Sequence, residues 1–166
     1  MEMNNVRALL NTHWDRRLPV DPMKLAHALG MQVKQLNAFN MAAEDLGISG
    51  YAAIENGQRV VAYNTHEHPN RQRFTVAHEI GHHVLGHVNS EAGRRLRDNA
   101  SNYSASINKS IELEANEFAA QLIMPEDAVR TLIERNGITS IRALADAFSV
   151  SEAAMYYRLK NLGLTR

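Results

Sequence analysis

His78-Glu79-Ile80-Gly81-His82 constrains this chain more than any other stretch. It is an H-E-x-x-H run inside residues 73–85, which read as one helix. Residues four apart on a helix share a face, so both imidazoles can reach one point, with Glu79 beside the first of them. Zinc hydrolases use that arrangement: two histidine ligands and a carboxylate that takes a proton from water at the metal. The rest of the helix is apolar, with Phe74, Val76, Ala77, Ile80, Gly81, Val84 and Leu85. Such a helix is buried in a domain. Unpaired polar groups buried with it cost on the order of several kcal/mol, and a metal supplies the compensation. The bland alternative is two exposed histidines on a solvated face, with Glu79 in a helix salt link; the apolar surroundings weigh against it. Gly81 costs about 1 kcal/mol relative to Ala in mid-helix. Its presence implies close approach of something to the helix, another backbone or a substrate.

The 166 residues suffice for one domain, or one domain with a small appendage, and for a sizeable core. The absence of cysteine excludes disulfide scaffolds, Cys-ligated zinc, thiolate catalysis and Fe–S clusters. Any metal must use His, carboxylate or backbone oxygen. Eighteen basic residues balance eighteen acidic ones, so no global electrostatic case for nucleic acid or membrane follows. No apolar run approaches the roughly 18 residues of a membrane span, and the first residues are polar and mixed in charge, unlike a signal peptide. The expectation is a cytoplasmic protein without a membrane partner.

Along the chain, Val6, Leu9, Leu10 and Trp14 have helical spacing. Asp21 is a fair N-cap with Pro22 at the first helical position, and Gly30 ends that helix. Residues 33–36 begin a strand, and 48–62 form the clearest β signal, with Asn56-Gly57 as a hairpin turn between apolar runs. Residues 65–70 read as a polar loop before the motif helix. The Ser-, Asn- and Arg-rich stretch 90–108 reads as a loop over the site. Residues 111–124 form a second strong helix, closed by Pro125; another follows to 135 and stops at Asn136-Gly137. Residues 139–164 read as a helix-turn-helix, with Ala145 at the helix approach, Val150 in the turn, Ser151 as a cap and Leu159 packing behind. The expected division is 1–136 as the main domain and 137–166 as the helix-turn-helix-like segment.

Two histidines are too few, because catalytic zinc usually has three protein ligands and one open position. His87 is out of register for the H-E-x-x-H-x-x-G-x-x-H arrangement, which needs Gly at position 85 and His at 88. His83 reads as a flanking polar residue. The second helix carries Glu112, Glu114, Asn116 and Glu117. Glu112 and Asn116 share a face, so one can offer a carboxylate while the other meets a histidine and fixes its orientation. Helical phase alone leaves Glu112 and Glu114 both open, and places Glu117 away from Glu112.

Two linked motifs carry a resemblance. Arg71-x-Arg73-Phe74-Thr75-x-Ala77-His78-Glu79-x-Gly81-His82 is followed by Glu112-x-Glu114-Ala115-Asn116-x-Phe118-Ala119-Ala120-x-Leu122-x-Met124-Pro125. Together they resemble the ImmA/IrrE family of metallopeptidases over residues 49–125, about half of the chain. The resemblance implies an α+β fold: a gluzincin-like minimal core with a small antiparallel sheet packed on the H-E-x-x-H helix, plus C-terminal helices. It implies one Zn2+ per chain held by His78, His82 and Glu112, with Glu79 as general base and Asn116 as the partner orienting a histidine. It also implies a protein substrate, a helix-turn-helix repressor encoded nearby, which the enzyme cleaves and inactivates. The Arg-Phe-Thr lead-in and the Met-Pro stop look structural.

On this reading Glu79 takes a proton from the attacking water and returns it to the leaving amine. The oxyanion needs a further partner; Tyr103, His66 and His68 are the candidates from nearby loops. A strand at 48–53 or 60–63 could pair with an extended substrate. Two other functions compete. The C-terminal segment could bind DNA through a face offering Tyr156, Tyr157 and Arg158, although it is only mildly basic. Alternatively the protein could hold a repressor or toxin without cutting it, as an anti-repressor or antitoxin.

Overall fold

The computed structural model describes residues 2–89, 96–98 and 106–165. Among these, the elements run α1 (Glu2–His13), α2 (Pro22–Ala28), β1 (Gln32–Leu36), a 3-10 turn (Ala43–Asp45), β2 (Gly50–Glu55), β3 (Gln58–Asn64), α3 (Pro69–Val84), β4 (Leu96–Asp98), α4 (Ser106–Ile123), α5 (Glu126–Glu134), α6 (Ile141–Phe148) and α7 (Glu152–Asn161). This is the expected α+β architecture.

Local chemistry sets most boundaries. Asp21 caps α2 by accepting from the Met23 and Lys24 amides, with Pro22 opening the helix. Asn56 and Gly57 both take positive φ, 51° and 77°, the conformation of a two-residue hairpin turn that matches strand twist. Ser140 and Ser151 cap α6 and α7 through the Ala143 and Ala154 amides. The motif helix begins one turn earlier than its apolar spacing suggests. His68 accepts from the Asn70 amide through Nδ1, and Pro69 takes the first helical position, so part of the expected 65–70 loop is helix.

The sheet has the order β1-β3-β2-β4. The β2–β3 and β2–β4 pairs are antiparallel, but β1 pairs parallel with β3, so the sheet is mixed rather than wholly antiparallel. The cause is the connection. Leu36 and Gly50 lie level with Asn64 and Tyr63, at the same end of the sheet. The long 37–49 link therefore joins two antiparallel strands, and β3 returns from the tight turn into the gap between them. Strand β3 is thus paired on both edges and has none to offer a substrate.

Residues of β3 alternate between two cores, as the period of a strand requires. Val61 and Tyr63 join the main cluster with Val76, Ala77 and Ile80 of α3. Val60 and Ala62 face Leu36, Ile48, Tyr51 and Ala53 on the opposite side. The main cluster continues without interruption from Val6 of α1 to Leu159 of α7. Leu144, Phe148 and Met155 are buried to 1% exposure or less. At roughly 1.5–3 kcal/mol per large side chain, they bind the C-terminal pair into the common core. Residues 90–108 supply β4 and the first turn of α4, while the rest of that expected loop lies outside the described residues.

Candidate metal centre

Helix α3 crosses the domain between sheet and α4, burying Thr75 through His83. Gly81 permits the approach of α4. A Cβ there would stand 3.0–3.3 Å from the Cδ1, Cγ and Cβ of Phe118, so the group approaching this helix is a core aromatic ring rather than a backbone or a substrate. On the other side, His83 donates from Nε2 to the Val60 carbonyl at 2.8 Å, fastening α3 to β3.

The close packing brings His78, His82 and Glu112 together, with one potential ligand atom of each lying within 4.8 Å of the others. His78 Nε2 is 3.0 Å from Glu112 Oε2, and His82 Nε2 is 3.3 Å from Oε1. The two Nε2 atoms are 3.0 Å apart. Ligands about 2.0–2.1 Å from a tetrahedral zinc are separated by roughly 3.3–3.4 Å, so this spacing suits such an ion. Both histidines are 1% exposed, and neighbouring Glu79 is completely buried.

Hydrogen bonds on the far side of each ring decide what these nitrogens present. His78 Nδ1 is 2.9 Å from Asn116 Oδ1, an acceptor, so Nδ1 carries the hydrogen. In the neutral ring Nε2 is then a bare lone pair. It faces another ring nitrogen and a carboxylate, an arrangement that demands either a proton or a cation at its centre. Burial lowers the pKa of His82, against the opposing contact with Glu112, and so disfavours the protonated ring. Burial alone would raise the Glu112 carboxyl; when a proton occupies the cluster, the hydrogen bonds from His78 and His82 and the charge they then carry outweigh burial and hold it at about 2, and a cation at the same point would stabilise the carboxylate in the same sense. A neutral imidazole and an ionised carboxylate are the protonation states that metal ligands require. The donor set therefore fits a divalent cation.

The other candidates fall elsewhere. His87 stands behind His82, Nδ1 to Nδ1 at 3.0 Å, and reaches Glu114 through Nε2 at 3.1 Å. Neither His87 nor Glu114 joins the converging ligand atoms, and spacing along the helices did not reveal their pairing. The signal was Gly86, a helix-ending glycine followed by a polar residue. Glu117 accepts from Gln121, and its charge acts on Arg158. His68 caps the first turn of α3, roughly 15 Å along the axis from His78. His66 is exposed in the turn before it, and Tyr103 lies outside the described residues. Arg73 reaches the Val20 carbonyl and Arg71 contacts Ser49 and Glu67, so these arginines tie α3 to neighbouring chain segments.

The chain matches the model of the IrrE N-terminal-like domain, a peptidase family, over residues 26–160. It is similar to the radiation response metalloprotease IrrE of Deinococcus radiodurans, with 34% identity over 110 residues, covering 64% of this chain and 32% of the relative. The radiation response metalloprotease IrrE of Deinococcus deserti is 36% identical over 95 residues, covering 57% of this chain and 32% of that protein. The matched part thus spans about a third of the length of either relative. With a family match across most of its length, the chain belongs to the IrrE N-terminal-like peptidase family.

Proposed function

We propose that this protein is a zinc-dependent endopeptidase whose substrate is a helix-turn-helix repressor, cleaved in the cytoplasm. The observation that carries the reading is the convergence of two buried histidine Nε2 atoms and a half-buried carboxylate. His78, His82 and Glu112 hold one zinc ion in this reading. When bound, the ion supplies Lewis acidity, which acidifies water and polarises a carbonyl.

The chain's own residues do the rest. Asn116 holds the His78 ring with its Nε2 lone pair directed toward Glu112. Glu79, adjacent to His78 on the same buried helix, accepts a proton from the attacking water and returns it to the leaving amine. A groove of about 390 Å³ lies between α3 and the α6–α7 turn, lined by His68, Arg71, Phe74, Val150, Ser151 and Ala154. The Phe74 ring centroid is 6.5 Å from that of His78, so the groove adjoins the metal pocket and suits an approaching polypeptide. We therefore assign residues 137–166 to substrate docking on a peptidase core of residues 1–136.

Two observations bear on the alternative of DNA binding. Arg158 is only 6% exposed and its Nε donates to the Met124 carbonyl, so it is withdrawn from the face expected to offer it. Tyr156 and Tyr157 remain exposed, but an uncharged aromatic pair lacks the basic footprint that phosphate contact requires. Among the described residues no helix is long and apolar enough to cross a membrane.

The test is incubation of the zinc-loaded protein with a neighbouring-gene repressor, with and without chelator, alongside Glu79→Gln. The expected result is two repressor fragments from the wild type alone. A repressor bound but left intact by the zinc-loaded wild type would favour the non-cleaving alternative. Equal cleavage by Glu79→Gln would remove Glu79 from the proposed role.

A further inference from the structure

We propose that Glu114 and His87 form a positioning relay that fixes His82 for metal binding. The inference rests on the metal reading above.

The relay begins in the way α3 ends. Gly86 takes φ 75°, a conformation that glycine adopts without a Cβ penalty. The His87 amide then donates to the His82 carbonyl at 2.9 Å, and the Gly86 amide to that of His83 at 3.3 Å. These are the two bonds of a Schellman motif, in which the second residue past the cap folds back over the third residue before it. That contact is usually hydrophobic; here it joins His87 to His82. Their ring centroids are 5.2 Å apart, and Nδ1 meets Nδ1 at 3.0 Å.

Two ring nitrogens at that distance share one hydrogen. If His82 is to coordinate through Nε2, its hydrogen must be on Nδ1, and His87 Nδ1 must accept it. A neutral His87 then carries its own hydrogen on Nε2. That atom is 3.1 Å from Glu114 Oε2, an acceptor. Ser110 donates to the other oxygen, Oε1, at 3.1 Å and steadies the carboxylate. Every hydrogen in the chain Ser110–Glu114–His87–His82 thus has one direction compatible with a bare His82 Nε2. The His87 side chain is 7% exposed, so little water reaches its contact with His82, whereas the Glu114 side chain is 38% exposed and forms the solvent end of the chain. Asn116 performs the same task for His78 in one step. Each imidazole therefore has its own orienting partner, and helix α4 supplies both anchors, Glu114 and Asn116.

The experiment measures zinc dissociation constants by competition with a chromophoric chelator, using wild type, His87→Leu, His87→Gln, Glu114→Ala and His87→Leu/Glu114→Ala. Melting of the metal-free proteins is followed in parallel. His87→Leu should weaken zinc binding ~10- to 100-fold, the range for loss of an outer partner. His87→Gln, which restores an acceptor, should recover most of that loss, and Glu114→Ala carries the test if the leucine variant does not fold. Glu114→Ala should weaken zinc several-fold alone and add nothing in the His87→Leu background. The visible bands of the cobalt-loaded variants should match wild type, because the ligands themselves are unchanged. Unaltered affinity in His87→Leu or Glu114→Ala, additive losses in the double variant, or changed cobalt bands would each overturn the relay. A wild type that binds no zinc in the same assay would instead overturn the metal reading on which it rests.

Discussion

Phe118 closes against Gly81 so tightly that a methyl group on Gly81 would lie 3.0 Å from the ring's Cδ1. The contact sits on α3 between the residues proposed to hold the metal, and on α4 below Glu112 and Asn116. It couples the distance between the two helices to the geometry of the ligand set. Gly81→Ala should therefore destabilise the protein. Overpacking costs ~1–3 kcal/mol, and better helix propensity returns about 1 kcal/mol. A net loss of about 1 kcal/mol lowers Tm by roughly 2–4 °C for a chain of this size. Thermal melting of the metal-free variant measures it; a raised Tm would show that the Phe118 ring yields freely.

Gly50 provides a harder case on the sheet. A Cβ there would stand 2.3 Å from the Ala62 carbonyl oxygen and 2.5 Å from Thr75 Cγ2. The obstruction is backbone of the paired strand β3, not the end of a flexible side chain. Gly50→Ala should cost about 3 kcal/mol, the upper end for overpacking, and clearly more than Gly81→Ala. Denaturant melts of the two variants side by side test the order. The reverse ranking would place the tighter constraint in the helix pair.

The two glutamates once open as third ligand separate by their contacts. Glu112 Oε2 and Oε1 meet the two facing Nε2 atoms, whereas Glu114 meets His87. Glu112→Ala should reduce bound zinc from one per chain to a trace in metal analysis after dialysis. Its affinity should fall by more than the ~100-fold that marks the loss of an outer partner. Stoichiometric zinc retained by the variant would refute the assignment.

Asn116 offers a graded test at His78. Its Oδ1 accepts from Nδ1 at 2.9 Å, fixing the tautomer. Asn116→Ala should weaken zinc binding ~10- to 100-fold, since nothing then holds that hydrogen in place. Asn116→Asp offers a charged acceptor of the same reach and should retain or tighten binding, because bonds to ionised acceptors are stronger. Chelator competition gives both numbers, and equal loss in the two variants would separate the Asn116 contact from ring orientation.

What could be read from the chain in advance was mostly local. Four-residue spacing puts His78 and His82 on one face whatever surrounds them, and Asp21, Ser151 and Asn56-Gly57 act within a few residues of themselves. The proposed role of Glu112 needed the paired motif, because α4 presents Glu114 almost equally well when viewed alone. His87 escapes the spacing argument for a different reason. Its approach to His82 depends on the chain reversal at Gly86 and not on helical phase. Strand β4 is three residues long and exists through its register with Gly50, Tyr51 and Ala52, which carries no local signature. Arg158 was expected at an exposed face, but its place follows from the packing of α7 against the end of α4.

That arginine supports a last prediction. Pro125 breaks the chain after α4, and the Met124 carbonyl accepts from Arg158 Nε at 3.0 Å. Burial lowers the pKa of the guanidinium, while Glu117 and Glu126 oppose the shift, so the charge is kept by carboxylates from α4 and α5. Arg158→Met keeps the bulk of the aliphatic stem but leaves a buried carbonyl without its donor and removes the positive charge near Glu117 and Glu126, of which Glu126 keeps its pair with Arg130. The expected cost is about 1–3 kcal/mol, seen as a lower Tm. Zinc affinity should stay at the wild-type value, because the residue contacts no group of the metal pocket. A stable Arg158→Met variant that had instead lost a salt-dependent affinity for DNA would return this residue to a nucleic-acid role.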